Sequence, residues 1–304
     1  MCRLIGFVAP QPATLTELVG AEQVARFRDM GRLHRDGWGT AWIDPSPHGS
    51  TAHDPAPHGS ALQGSAPHGP APHGTAADGS TVHGSALRTY RATGLPDDSE
   101  FAALAEAPPS VARLVHLRWA TEGLEISERN THPFVADGIA LAHNGSISPR
   151  TELDDLLKPE VRRSVVGTTD SERYLALVRQ ELAVVGDVPQ AVARAVATLR
   201  REFPLASLNA LILTEDALIV VHASLASLVP LEKMRAKVLH EDDLPLGHVD
   251  DYFQMYWRRG PRGSVLVSST GLVNDGWEPM PPESVTTVEL ATLEVSQVQL
   301  VPQE

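Results

Sequence analysis

A thiol that shares its residue with a free amine is a nucleophile carrying its own base. The one cysteine of this chain, Cys2, becomes such a residue if Met1 is removed. Cysteine is small enough for that removal to be expected, and an α-amine titrates near about 7.7 to 8.0. A lone cysteine is more often a small buried apolar residue than a nucleophile, so other groups must support the chemistry. Amide cleavage by a thiolate needs donors for the oxyanion and a cradle for the substrate. Three segments offer them. HLRWATEG (116–123) places Arg118 at the end of an expected strand, where a planar guanidinium suits a substrate carboxylate. HNG (143–145) ends another strand, and the Asn144 side-chain amide with the Gly145 N–H makes a donor pair. TTDSE (168–172) opens a helix with Asp170, which can meet a substrate ammonium. Plainer readings exist for each: a surface ion pair for Arg118, a turn dipeptide for Asn144–Gly145, a helix cap for Asp170.

The elements that must position these residues are legible as alternations of period. RLIGFV (3–8) reads as a buried strand. Thr14 and Glu17 form a capping box for one helix reaching about Asp29, with Leu15, Leu18, Val19, Val24 and Phe27 on its apolar face. HRDGWGTAWID (34–44) is a glycine-rich turn running into a strand, and SALRTYRATG is expected to pair with it as a hairpin. Strands follow in SVARLVHLRWAT and GIALAHNGSI. The pattern from 149 to about 203 is helical, and strands return in SLNALILTEDALIVVHAS, GSVLVSST, ESVTTVEL and EVSQVQL. Strands, helices and strands again imply sheets covered by helices.

Between about 45 and 85 the composition changes to repeated PHGS, PHGP and PHGT units. Without bulky apolar residues such a segment is expected to be a disordered insert in the hairpin loop. Its His48, His53, His58, His68, His73 and His83 also invite a metal-binding reading, although nothing fixes their geometry. The whole chain has 304 residues, 42% of them apolar, and a formal charge of −13. A sizeable core is possible, while nucleic acid and anionic membranes are poor partners for so acidic a surface. No membrane-length apolar run and no secretory signal is read, which makes a cytoplasmic location the expectation. One cysteine excludes an internal disulfide and a cysteine metal cluster.

Cys2, DGWG, HLRWATEG, NTHPF, HNG and TTDSE, in this order, resemble the class II glutamine amidotransferases over most of residues 2–175. VLVSSTGLVNDGWEPMPP is similar to the closing segment of short, stand-alone members. The resemblance implies an α+β fold, the four-layer αββα sandwich of N-terminal-nucleophile hydrolases. It implies a single type-2 amidotransferase domain over 2–304, interrupted by the insert. The implied reaction is hydrolysis of the γ-amide of glutamine, or of another γ-glutamyl amide, through a thioester on Cys2, without a metal or organic cofactor. Residue by residue, Asn144 and Gly145 match the oxyanion hole, Arg118 the carboxylate ligand with Thr121 nearby, and Asp170 the ammonium ligand. Trp119 would line the pocket, while Trp38 and His132 would shape surrounding loops. Glu122 departs from the histidine often found there in members fused to a synthetase, which leaves the outer pocket undefined. An ammonia-accepting synthetase is expected as a separate chain. Two other readings stand beside this one: a γ-glutamyl hydrolase acting on a larger metabolite, as in ergothioneine biosynthesis, and a non-catalytic glutamine- or metal-binding protein.

Overall fold

Two antiparallel sheets lie face to face, and the phase of each strand decides which residues enter the gap between them. The computed structural model describes residues 2–44, 86–95, 98–106, 108–120, 123–238, 244–272 and 275–300. The histidine-rich insert, Thr121 and Glu122 lie outside the described residues. The strands are β1 (Arg3–Ala13), β2 (Trp38–Ile43), β3 (Leu87–Ala92), β4 (Ser110–Leu117), β5 (Phe134–Ala136), β6 (Ile139–Ser146), β7 (Ser207–Leu213), β8 (Ala217–His222), β9 (Met255–Arg259), β10 (Val265–Ser269), β11 (Glu278–Pro279), β12 (Ser284–Glu289) and β13 (Val295–Gln299). Helices are α1 (Leu15–Val19), α2 (Ala21–Asp29), α3 (Asp98–Phe101), α4 (Pro159–Arg162), α5 (Asp170–Val185), α6 (Val188–Glu202) and α7 (Leu231–Arg235). The first sheet runs β11-β9-β10-β1-β4-β2-β3 and the second β13-β12-β8-β7-β6-β5.

Successive strand side chains point to opposite faces. Leu4 and Val8 of β1, with Ala112 and Leu114 of β4, meet Ala140 and Ala142 of β6 and Leu211 and Leu213 of β7 in the inter-sheet core. The alternate residues Ile5, Phe7, Val115 and Leu117 pack outward against Leu15, Leu18, Val24 and Phe27 of α1 and α2. On the far side Ile139, Leu141, Leu208 and Ile212 pack against Tyr174, Val178, Val192 and Leu199 of α5 and α6. The result is the αββα order: helices, sheet, sheet, helices.

The Thr14–Glu17 box is present in both directions, with Thr14 N donating to Glu17 Oε2 at 2.8 Å and Glu17 N to Thr14 Oγ1 at 3.1 Å. The single helix expected to Asp29 is two helices instead. Gly20 at φ 96° ends α1 and turns the chain into α2. β1 extends to Ala13, beyond Val8, because Pro10 and Pro12 fall where the ladders lapse. Pairing with β10 stops at Val8, and pairing with β4 shifts register between Val8 and Ala13. The hairpin of β2 and β3 forms as expected, in register from Trp38↔Ala92 to Ile43↔Leu87.

Candidate active site

Strand phase brings the candidate residues to one end of the inter-sheet gap. Cys2 is in step with Leu4, so it faces the second sheet, and Asn144 is in step with Ala140 and Ala142, so it faces back. Cys2 N donates to Asn144 Oδ1 at 3.0 Å, across 142 positions of sequence. Cys2 Sγ lies 3.9 Å from the Trp119 carbonyl oxygen. Cys2 and Asn144 are both buried, and Asn144 Nδ2 has no hydrogen-bond partner. Gly145 follows at a crowded point. A Cβ there would stand 1.9 Å from Ser207 O and 2.5 Å from His143 Nε2, so only glycine fits.

Arg118 leaves the end of β4 and is buried. Its Nη1 donates to Asp36 O at 3.2 Å and its Nη2 to Glu125 O at 3.5 Å. Burial lowers its proton affinity, countered by the acidic groups of Cys2, Asp36 and Asp170, which lie within electrostatic reach of it. Asp170 opens α5 but is not its cap; Thr169 is, accepting from Glu172 N at 3.2 Å. Asp170 Oδ2 instead accepts from Ile147 N at 2.7 Å, and Oδ1 from Ser171 N at 2.9 Å, tying α5 to the end of β6. Trp119 packs in a small cluster with Met234, Tyr252 and Phe253. Its ring meets His34 edge-on at 5.9 Å, and Lys237 Nζ lies 4.1 Å from the ring centroid. Trp38 pairs with Leu117 beside Arg118, but its ring packs in the outer cluster against Tyr90 and Phe101. His132 stacks on His116 with centroids 4.1 Å apart.

The sequence pattern of the class II glutamine amidotransferases matches residues 84–299, which is most of the chain. The chain belongs to this family. A glutamine–fructose-6-phosphate aminotransferase of Pseudomonas syringae pv. tomato is 34% identical over 177 residues, covering 57% of this chain and 28% of that protein. The same-named protein of Escherichia coli K12 is 41% identical over 87 residues, 29% of this chain and 14% of its own length. The chain thus spans less than a third of these relatives. A glutamine aminotransferase class-II domain protein of Silicibacter pomeroyi shares the fold at 18% identity, with TM-score 0.53, covering 99% of this chain and 100% of that one. The glutamine phosphoribosylpyrophosphate amidotransferase of B. subtilis does so at 13% identity and TM-score 0.56, covering 99% of this chain and 50% of that one.

As a class II glutamine amidotransferase domain, the chain is an enzyme domain of carbon–nitrogen amide chemistry. Several residues that hold its candidate site are not singled out by type in the sequence, although Asp36 and Asn130 lie inside the DGWG and NTHPF motifs. Asp36, inside the DGWG motif, accepts from Ala120 N at 2.8 Å through Oδ2 while its carbonyl takes Arg118. Asn130 accepts from Thr168 N at 2.9 Å and donates to Glu125 O at 3.2 Å, joining the loops that carry Asp170 and Arg118. Asn209 pairs in register with Asn144, donates to Phe253 O at 2.6 Å and accepts from Ala223 N at 2.8 Å. Only the pairing of β6 with β7 reveals it. Among the described residues, no group of three or more His, Cys, Asp or Glu side chains is arranged to hold a metal ion. No helix among them is long and apolar enough to cross a membrane.

Proposed function

We propose that this domain hydrolyses the γ-carboxamide of glutamine through a thioester on Cys2. The observation that carries the reading is the Cys2–Asn144 pair: Asn144 Oδ1 holds the Cys2 nitrogen at 3.0 Å while Nδ2 stays buried without a partner. Removal of Met1 turns that nitrogen into an amine, with an ordinary pKa of about 7.7 to 8.0, beside the thiol of the same residue. The amine takes the thiol proton and the sulfur attacks the carbonyl carbon of the γ-carboxamide. Negative charge then develops on the amide oxygen, where Asn144 Nδ2 and the Gly145 N–H are the donors. Collapse of the intermediate breaks the carbon–nitrogen bond, and the protonated amine gives its proton to the departing ammonia. The freed amine then activates water, which cleaves the thioester to glutamate.

At the other end of the substrate, Arg118 binds the α-carboxylate, with Trp119 beside it. Asp170 binds the α-ammonium through lone pairs that its two backbone donors leave open, since a carboxylate accepts about four hydrogen bonds. Ammonia released here serves an acceptor enzyme.

Purified protein should show loss of Met1 by intact mass and should release glutamate from glutamine. A thiol-directed glutamine analogue should block that release and map to the Cys2 peptide. Cys2→Ala should abolish turnover with an unchanged circular dichroism spectrum. Turnover near the wild-type rate in that variant would refute the assignment.

A further inference from the structure

His143 stands one position before Asn144, so alternation turns it away from Cys2 and toward α5. Its ring is buried and held on every side. Nε2 lies 2.7 Å from Ser207 O, and a carbonyl only accepts, so the ring proton sits on Nε2. Nδ1 is then an acceptor, 2.9 Å from Ser171 Oγ. Tyr174 meets the ring edge-on at 5.6 Å, and the Gly145 backbone passes directly beside Nε2. Burial keeps the imidazole neutral, although Asp170 and the Ser207 carbonyl pull the other way.

Ser171 Oγ is also 3.3 Å from Asp170 Oδ1. A hydroxyl has one proton, and the imidazole acceptor at the shorter distance takes it. The Ser171 hydroxyl is therefore spent on His143 and does not cap the carboxylate. Ile147 N and Ser171 N hold Asp170 from behind, leaving its outward lone pairs uncovered.

We propose that His143, by holding the Ser171 hydroxyl, is a positioning residue that keeps Ser171 N on Asp170 Oδ1 and so fixes the amine-binding carboxylate relative to the oxyanion donors on β6. This rests on the roles given above to Asp170 and Asn144. The strut joins the strand that stabilises the transition state to the helix that holds the substrate's ammonium, so it acts on substrate affinity through one functional group.

Ser171→Ala removes the hydroxyl and leaves the imidazole held by Ser207. KM for glutamine should rise severalfold, with kcat within about twofold of wild type, because ground-state and transition-state binding fall together. The α-deamino analogue glutaramate, used as substrate or competitive inhibitor, should bind wild type and Ser171→Ala equally well. In an Asp170→Asn background the same substitution should add no further KM increase, since the two residues act as one unit. Equal weakening of glutamine and glutaramate, an additive double variant, or a kcat loss at constant KM would overturn the proposal. Wild-type protein that releases no glutamate and leaves Cys2 unlabelled would instead overturn the function on which it rests, so the two failures are separable.

Discussion

Asn144 has two polar ends and the fold satisfies one. The Cys2 nitrogen occupies Oδ1, and Nδ2 is left buried without a partner. An orphaned buried donor costs roughly 1–3 kcal/mol, and this one lies on the residue that holds the Cys2 nitrogen. In the proposed mechanism a tetrahedral oxyanion supplies the missing acceptor only while the intermediate exists, so the cost becomes differential binding of the transition state. Asn144→Ala should therefore lower kcat for glutamate release about 100- to 1,000-fold while changing KM little. Steady-state kinetics on protein verified by mass to have lost Met1 measures this. A loss under tenfold would remove Asn144 from the oxyanion hole. At this scale the sequence is informative about types and silent about partners. Cys2, Arg118, Asn144 and Asp170 each have an ordinary alternative role, and only their order along the chain singles them out. Asn209 remains invisible because its work depends on Phe253, far away in sequence, and Asp36 shows as part of DGWG but not as the partner of Arg118.

Strands and caps with a local cause are the elements most readily read from the chain. The Thr14–Glu17 box, the β2–β3 hairpin and the phases of β1, β4 and β6 follow from neighbouring residues. The break between α1 and α2 does not, because a chain reversal at Gly20 leaves the spacing of Leu15, Leu18, Val24 and Phe27 looking continuous. The segment around Trp119 is also opaque. β9 and α7 are short, and α7 is anchored by the packing of Met234 with Trp119, Tyr252 and Phe253 rather than by its own pattern. Gly20 provides a test in which two element-level arguments have opposite signs. Helix propensity alone favours alanine over glycine by about 1 kcal/mol in a helix interior. At φ 96° and ψ 142°, however, a Cβ is strained whatever the surrounding space. Such backbone costs on the order of 1–3 kcal/mol for a residue other than glycine. Gly20→Ala should thus be destabilising, read as a lower urea midpoint at unchanged m-value. A higher midpoint would mean that α1 and α2 can join into one helix.

The molecule as a whole buries several histidines where water cannot stabilise their charge. Burial lowers the proton affinity of His116 to a pKa of about 3 and that of His248 to about 2, and holds His132, His143 and His222 below the usual value. Hydrogen bonds to carbonyls oppose burial at His116, His143, His222 and His248 without overcoming it. In the unfolded chain these side chains protonate near an ordinary pKa of about 6.5. Below that pH the unfolded state binds more protons than the folded one, so stability falls as the pH falls. Their full contribution is present above about pH 6.5. Each histidine then loses up to about 1.4 kcal/mol per pH unit until its folded pKa is reached, near pH 3 for His116. For His116 and His248, whose folded values lie far below 5.5, the loss by pH 5.5 is about 1.4 kcal/mol each, a sizeable part of the stability of an ordinary domain. Urea unfolding at pH 7.5 and pH 5.5 should show a clear drop in midpoint at the lower pH. A midpoint constant across that interval would mean that water or rearrangement lets the folded molecule take up the protons, and the packing around His116, His132 and His143 would then be looser than the distances between their rings imply.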